Sequence, residues 1–204
     1  IKRDIKKHKK GSVNGNGYTE EWVEEAKKRG LYNLESTPDC LPQFISDKNV
    51  ELFTKHHIFT KEEIFSRYEI LLENYVKTIG IEAKTMKEML TKDFLPAVSS
   101  YAASVSDNAL AMKALAPSVP TSSAESLVSS LGDAYEKISS ALSTLDEEIQ
   151  EIDKKGSMQE SADYCHKTVL ATMDELRAAA DEAEAKIPDE ELPYPTYDAL
   201  LFSV

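Results

Sequence analysis

Between residues 131 and 152 the apolar side chains fall at Leu131, Tyr135, Ile138, Leu142, Leu145, Ile149 and Ile152, alternately four and three apart. That spacing is a heptad seam: it gathers all seven onto one stripe of an α-helix, and the stripe needs other helices to cover it. The next segment makes the same demand, with Ala162, Cys165, Val169, Met173, Leu176, Ala180, Ala183 and Ile187 on one stripe. Lys154-Lys155-Gly156 offers the first of these rods a cationic last turn and a glycine C-cap. Ser157-Met158-Gln159-Glu160 is a capping box that opens the second. Only a few residues separate the rods, so they are expected to lie antiparallel.

A further rod precedes them. Thr60-Lys61-Glu62-Glu63 is another capping box, and Ile64, Tyr68, Leu71, Leu72, Tyr75, Ile79, Met86 and Leu90 follow near helical spacing. Val98, Ala102, Val105, Ala109 and Met112 continue the pattern until Pro117 and Pro120 end it. Fifty-odd helical residues make a rod of about 80 Å. Pro96 is expected to kink it, because proline removes a backbone donor and clashes with the carbonyl four residues earlier.

Before residue 59 the elements are short. Asn14-Gly15-Asn16-Gly17 reads as a tight turn, since Asn and Gly accept positive φ. Thr19 then caps a helix that carries Trp22, Val23 and Ala26 on its apolar face and stops at Gly30. Another helix opens at Thr37-Pro38, and a third at Ser46 with Val50, Leu52 and Phe53 facing inward. Only seven glycines in 204 residues, together with many Ala, Glu, Lys, Leu and Ser, point to a largely helical chain with strands scarce or absent. The expected fold is all-α: a long antiparallel three-helix bundle, up-down-up, with short helices packed at one end and an extended apolar C-terminal tail.

Charge and motif chemistry exclude several function classes. A formal charge of −12 and a pI near 4.9 argue against nucleic acid as a partner. Residues 1–10 hold six Lys or Arg against one Asp, but no aromatic residue is interleaved for base stacking, and a solvated helix face is the plainer reading. Cys40 and Cys165 show no CxxC or CxxH spacing and read as thiols of a cytoplasmic protein. No run of 18 apolar residues suggests a membrane span, and Ile1 suggests a chain cut from something longer.

No metal ligands emerge. His56 and His57 are adjacent, so on a helix they point about 100° apart. The run from Asp146 to Asp153 sets its isoleucines on the seam and its acids, Glu148 among them, on solvated faces. The Asn-Gly turn lacks the Gly-Lys-Ser/Thr of a phosphate loop, and neither Gly-x-Ser-x-Gly nor His-Glu-x-x-His occurs. No residue is nominated as catalytic, cofactor-binding or metal-binding.

The end of the chain breaks character. Residues 181–192 carry six acids against Lys186, and then the sequence becomes Pro193-Tyr194-Pro195-Thr196-Tyr197-Asp198-Ala199-Leu200-Leu201-Phe202-Ser203-Val204. Such apolar, proline-stiffened composition suits docking, with Tyr194, Tyr197, Leu201 and Phe202 as the candidate contact residues.

This ending, together with Asn14 to Gly30 and its Glu-Glu-Trp and Lys-Arg-Gly, Leu52 to about Ala97, and more weakly Ala109 to Leu115, resembles the C-terminal region of the bacterial type III glutamine synthetases. The blocks occur in order and cover roughly half the chain. Two departures stand out: Gly11-Ser12-Val13 replaces a short apolar segment, and Ala199 replaces a glycine-containing pattern. The resemblance implies a parent ligase that joins ammonia to glutamate with ATP and Mg or Mn and works in stacked hexameric rings. It also implies that the metal and nucleotide residues lie in upstream domains, so this chain is expected to be inactive alone. Residues 1–58 would then be the end of the catalytic-domain side, 59–192 the bundle and 193–204 a tail that docks on upstream catalytic domains or neighbouring subunits. Alternatives are an autonomous helical module that binds a partner helix through an exposed seam, and a small-ligand site between the rods.

Overall fold

The computed structural model describes residues 2–9, 13 and 15–202. Gly11, Ser12 and Asn14 lie outside the described residues. Two units divide the chain, Ile1–Tyr68 and Glu69–Val204. Among the described residues there is helix and no strand, as the helix-forming composition predicts.

The first unit holds α1 (Lys2–Lys7), α2 (Glu20–Lys28), α3 (Thr37–Phe44), α4 (Asp47–Lys55) and the opening turns of α5 (Lys61–Met89). Gly15 has φ of +146°, and the Asn16 side chain accepts from the Tyr18 N–H at 3.0 Å, which makes the expected turn. Thr19 sits at the N-cap of α2, but its hydroxyl donates to the Asn16 carbonyl instead of capping the helix. Gly30 ends α2 at φ +70°: its N–H donates to the Lys27 carbonyl and the Leu31 N–H to the Ala26 carbonyl, a Schellman closure. The same closure ends α4 without glycine. His57 takes φ +54° and donates its N–H to Thr54, while the Ile58 N–H donates to Phe53. The two adjacent histidines are therefore the stop of a helix. Of the residues expected to face inward on α4, Leu52 is exposed, while Phe53 packs between Phe44 and Phe59 with ring centroids 5.6 and 5.8 Å away.

In the second unit the first rod continues through a π turn at Leu90–Phe94 into α6 (Leu95–Leu115). The Leu95 N–H donates to Leu90, five residues back, directly before Pro96. The expected proline effect is thus a wider turn: Pro96 can donate no hydrogen bond and its ring crowds a preceding carbonyl, and an extra residue in the turn relieves both. Leu71 and Met112, placed on the apolar stripe by spacing, are exposed, because the stripe is narrower than the spacing allows.

The second rod is α7 (Ser122–Ile152); the third is α8 (Met158–Tyr164), a π turn at Cys165–Val169 and α9 (Leu170–Glu184). Cross-links establish the up-down-up order. Lys87 pairs with Asp146, and Lys113 with Glu125 at 3.4 Å, so numbers rise on the first rod as they fall on the second. Thr172 bonds Glu148 at 2.9 Å and Lys186 bonds Ser130 at 2.7 Å, which reverses direction again.

All eight stripe positions of the third rod are buried, and so are Leu131, Ile138, Leu142, Leu145 and Ile152 of the seam. Ile149 is partly buried against this core, and Tyr135 departs furthest: it stands 36% exposed and Ala134 takes its place. At about 100° per residue, position 134 lies nearer the mean direction of the buried side chains than 135 does, because a 3.6-residue helix drifts from a strict heptad. The first capping box closes in both directions and the second in one, since the Glu160 carboxylate takes the N–H of Gly156, one residue before the N-cap. Thr60 and Glu63 exchange bonds at 2.7 and 3.2 Å, and Ser157 accepts from the Glu160 N–H at 3.2 Å. Gly156 is not the left-handed C-cap expected of it. Its N–H is instead held by the Glu160 carboxylate at 2.9 Å.

Candidate functional site

After α9 the acidic stretch makes one 3-10 turn, Asp189–Glu191, and the chain then doubles back over the crease between the first rod and α9. Leu192 and Tyr194 pack against the bundle core. The Tyr194 ring stacks on Phe94 at 6.4 Å with the planes 13° apart, and Phe94 is itself wholly buried in the π turn that precedes Pro96. Burial first, and the Glu184 and Asp93 carboxylates second, push the Tyr194 hydroxyl up to about 12. Arg177 acts weakly the other way. Tyr194 is therefore a neutral, seated anchor at any physiological pH.

Beyond the anchor, Thr196 starts α10 (Tyr197–Phe202), its hydroxyl accepting from the Ala199 N–H at 3.4 Å. Leu201 and Phe202 stand 75% and 78% exposed, with Leu200 beside them. The Tyr197 side chain lies outside the described residues. Of the four tail positions nominated from sequence, one is thus seated on the bundle and two project from it. Phe94, the residue that receives the anchor, was not among the nominated residues. The signal was present, since Phe94 lies four residues from both Leu90 and Val98.

Catalytic donor sets are the other possibility. Among the described residues no three His, Cys, Asp or Glu side chains converge as metal ligands would. Several acids pair along their own helices, as Glu73 does with Lys77 at 2.6 Å and Asp181 with Arg177 at 2.7 Å. The described residues thus bring together no donor set for the divalent metal implied for a parent enzyme. Burial pushes the Cys165 thiol up to about 11, with Asp153 adding to the effect, so it is a core atom and not a nucleophile. Glu148 does not lie on a solvated face. It reaches into the α7–α9 contact, accepts from Thr172 and leaves its Oε2 buried without a partner. Desolvation, and more weakly the nearby Glu175 carboxylate, hold its pKa above the ordinary carboxylate range against the opposing Thr172 bond. No helix among the described residues is long and apolar enough to cross a membrane.

The fold and tail can be set beside known proteins. A glutamine synthetase from Butyrivibrio fibrisolvens is 48% identical over 204 residues, all of this chain and 29% of that protein. A type-3 glutamine synthetase from Dictyostelium discoideum is 31% identical across 99% of this chain and 28% of its own length. A glutamine synthetase from Bacteroides fragilis (strain YCH46) is 26% identical across 93% of this chain and 26% of its own length. The chain thus spans less than a third of the curated relatives it matches. The family model for the glutamine synthetase C-terminal domain matches residues 1–113, which includes α1 to α5 and most of α6. With that match over more than half of the chain, and relatives aligned along nearly all of it, the chain belongs to the glutamine synthetase C-terminal domain family.

Proposed function

We propose that the chain is the non-catalytic helical portion of a cytoplasmic, oligomeric type III glutamine synthetase, one that scaffolds the ATP- and Mg- or Mn-dependent catalytic domains and holds them in the assembly. The observation that carries this reading is the split tail. Tyr194 is fixed on the bundle while Leu200, Leu201 and Phe202 project from a short helix immediately after it. Three large apolar side chains on a tethered terminal helix are costly to leave in water, at about 25 cal/mol per Å² of apolar surface, and an anchored tether lowers the entropy lost when they dock. Their counterpart in the longer enzyme is a catalytic domain or an adjacent subunit. In this arrangement residues 1–58 continue from the catalytic side, 59–192 form the bundle and 193–204 dock.

The rival reading, an autonomous module with an exposed heptad seam, needs surface that the bundle uses internally, since Leu131, Ile138 and Leu145 are wholly buried. A direct assay separates scaffold from enzyme. The 204-residue chain, given glutamate, ammonia, ATP and Mg or Mn, should form no glutamine, while the longer enzyme does. Turnover by the chain alone would overturn the assignment.

A further inference from the structure

Beneath the returning tail lies an open trough of about 630 Å³ between the first rod and α9. Ile81, Met86 and Met89 form one wall and Met173, Leu176 and Ala180 the other. Three of the chain's five methionines are in it. Methionine is unbranched and polarisable, and it recurs at surfaces that accept a partner's varied apolar side chains. Ile81, 65% exposed, has no covering side chain comparable to those over the buried seam, so this wall faces solvent as it stands.

The rim gives the occupant its sign. Glu82, Asp181 and Glu184 surround the trough against a single cation, Arg177, which pairs with Asp181 at 2.7 Å. A second copy of this chain carries −12 overall, and apart from its basic residues 1–10 it would meet the acidic rim with repulsion. The length is also telling. From Ile81 to Leu90 the wall runs about 14 Å at 1.5 Å per residue, and helix-in-groove recognition at i, i+4 and i+7 needs about 10 Å.

We propose that this trough is a docking site for a basic amphipathic helix of a partner protein, whose apolar anchors enter between Met89 and Met173 while its Lys or Arg face meets Glu82 and Glu184. Leu200 of the projecting tail borders the trough, but Leu201 and Phe202 do not line it, so a test at those two residues reads the assembly role and a test at Ile81 and Glu82 reads the trough.

The test uses two labelled peptides of about 18 residues, long enough to present several helical turns. One has Leu at i, i+4, i+7 and i+11 on a Lys- and Ala-rich background; the other has Glu for every Lys. Fluorescence anisotropy should show saturable one-to-one binding of the Lys peptide, at least about tenfold tighter than the Glu peptide and weakened by salt. Ile81→Ser should weaken it by about tenfold with the helical circular dichroism unchanged, because that side chain is mostly exposed. Glu82→Lys should abolish the preference between peptides, because it leaves two acids against two cations on the rim, and Glu136→Lys on the exposed face of α7 should change nothing. Equal binding of both peptides, no saturable binding, or indifference to Ile81→Ser and Glu82→Lys would overturn the proposal. Self-association of the chain that Ile81→Ser abolishes would overturn it too, by putting a second copy in the trough. So would slow amide exchange across 197–202 that Ile81→Ser accelerates, which would put the chain's own tail there.

Discussion

Replacing Leu145 with alanine removes three carbon atoms from a wholly buried site on the second rod, among residues of all three rods. At about 0.8 kcal/mol per methylene the lost transfer energy is about 2.4 kcal/mol. A residual cavity of roughly 50 Å³ adds about 1.2 kcal/mol at 24 cal/mol per Å³. Leu145→Ala should therefore cost about 3.5 kcal/mol. Tyr135→Ala is the informative partner: a strict heptad puts that residue in the core, whereas the structure leaves it 36% exposed and buries Ala134. It should cost only about 1 kcal/mol, in the range of partly exposed positions. Glu147→Ala, on the solvent side of the same helix, should lie within about 0.5 kcal/mol of the parent. Urea unfolding followed by circular dichroism, extrapolated linearly and compared at equal m, reads all three. Equal losses for Leu145→Ala and Tyr135→Ala would show that α7 is rotated from the position described and that the heptad register holds instead.

His57→Gly should raise stability by up to about 1 kcal/mol and Gly30→Ala should lower it by a similar amount, because both positions close a helix in the left-handed region; thermal denaturation of the two variants reads the contrast. Glu148 binds a proton more tightly folded than unfolded, so its contribution to stability is greatest below the ordinary carboxylate pKa and is lost as pH rises through the higher folded value. Glu148→Gln should flatten that slope and stabilise the bundle at neutral pH, and unfolding curves that stay parallel to the parent's from pH 4 to 8 would refute it. Phe94→Ala should unseat Tyr194, visible in ultraviolet titration as a hydroxyl that moves down from about 12.

The buried stripe of the third rod was legible, though its π turn was not, because its eight residues keep one period from Ala162 to Ile187 and burial follows period when the neighbours are themselves helices. The capping boxes were legible for a related reason, since Thr60–Glu63 and Ser157–Glu160 are closed within one turn and need no tertiary partner. What resisted reading is tertiary. Whether 134 or 135 faces the core depends on how far a straight helix drifts across its neighbours, and whether Pro96 bends or widens a helix depends on what packs against the turn. Glu148 reads as one acid in a solvated run until α9 brings Thr172 across to it. The tail was legible as apolar but not as divided, because only the position of Phe94 decides which of its aromatics has a seat.

The split tail is also where the account is most exposed to test. In the longer enzyme, Leu201→Ser with Phe202→Ser changes two side chains that touch little in the chain itself, so helical content and the Tyr194 titration should stay as they are. Light scattering should then show a smaller assembly, or the same assembly melting at a lower temperature. An unchanged mass together with an unchanged melting temperature would contradict a docking role for the tail and, with it, the assembly function proposed for this domain.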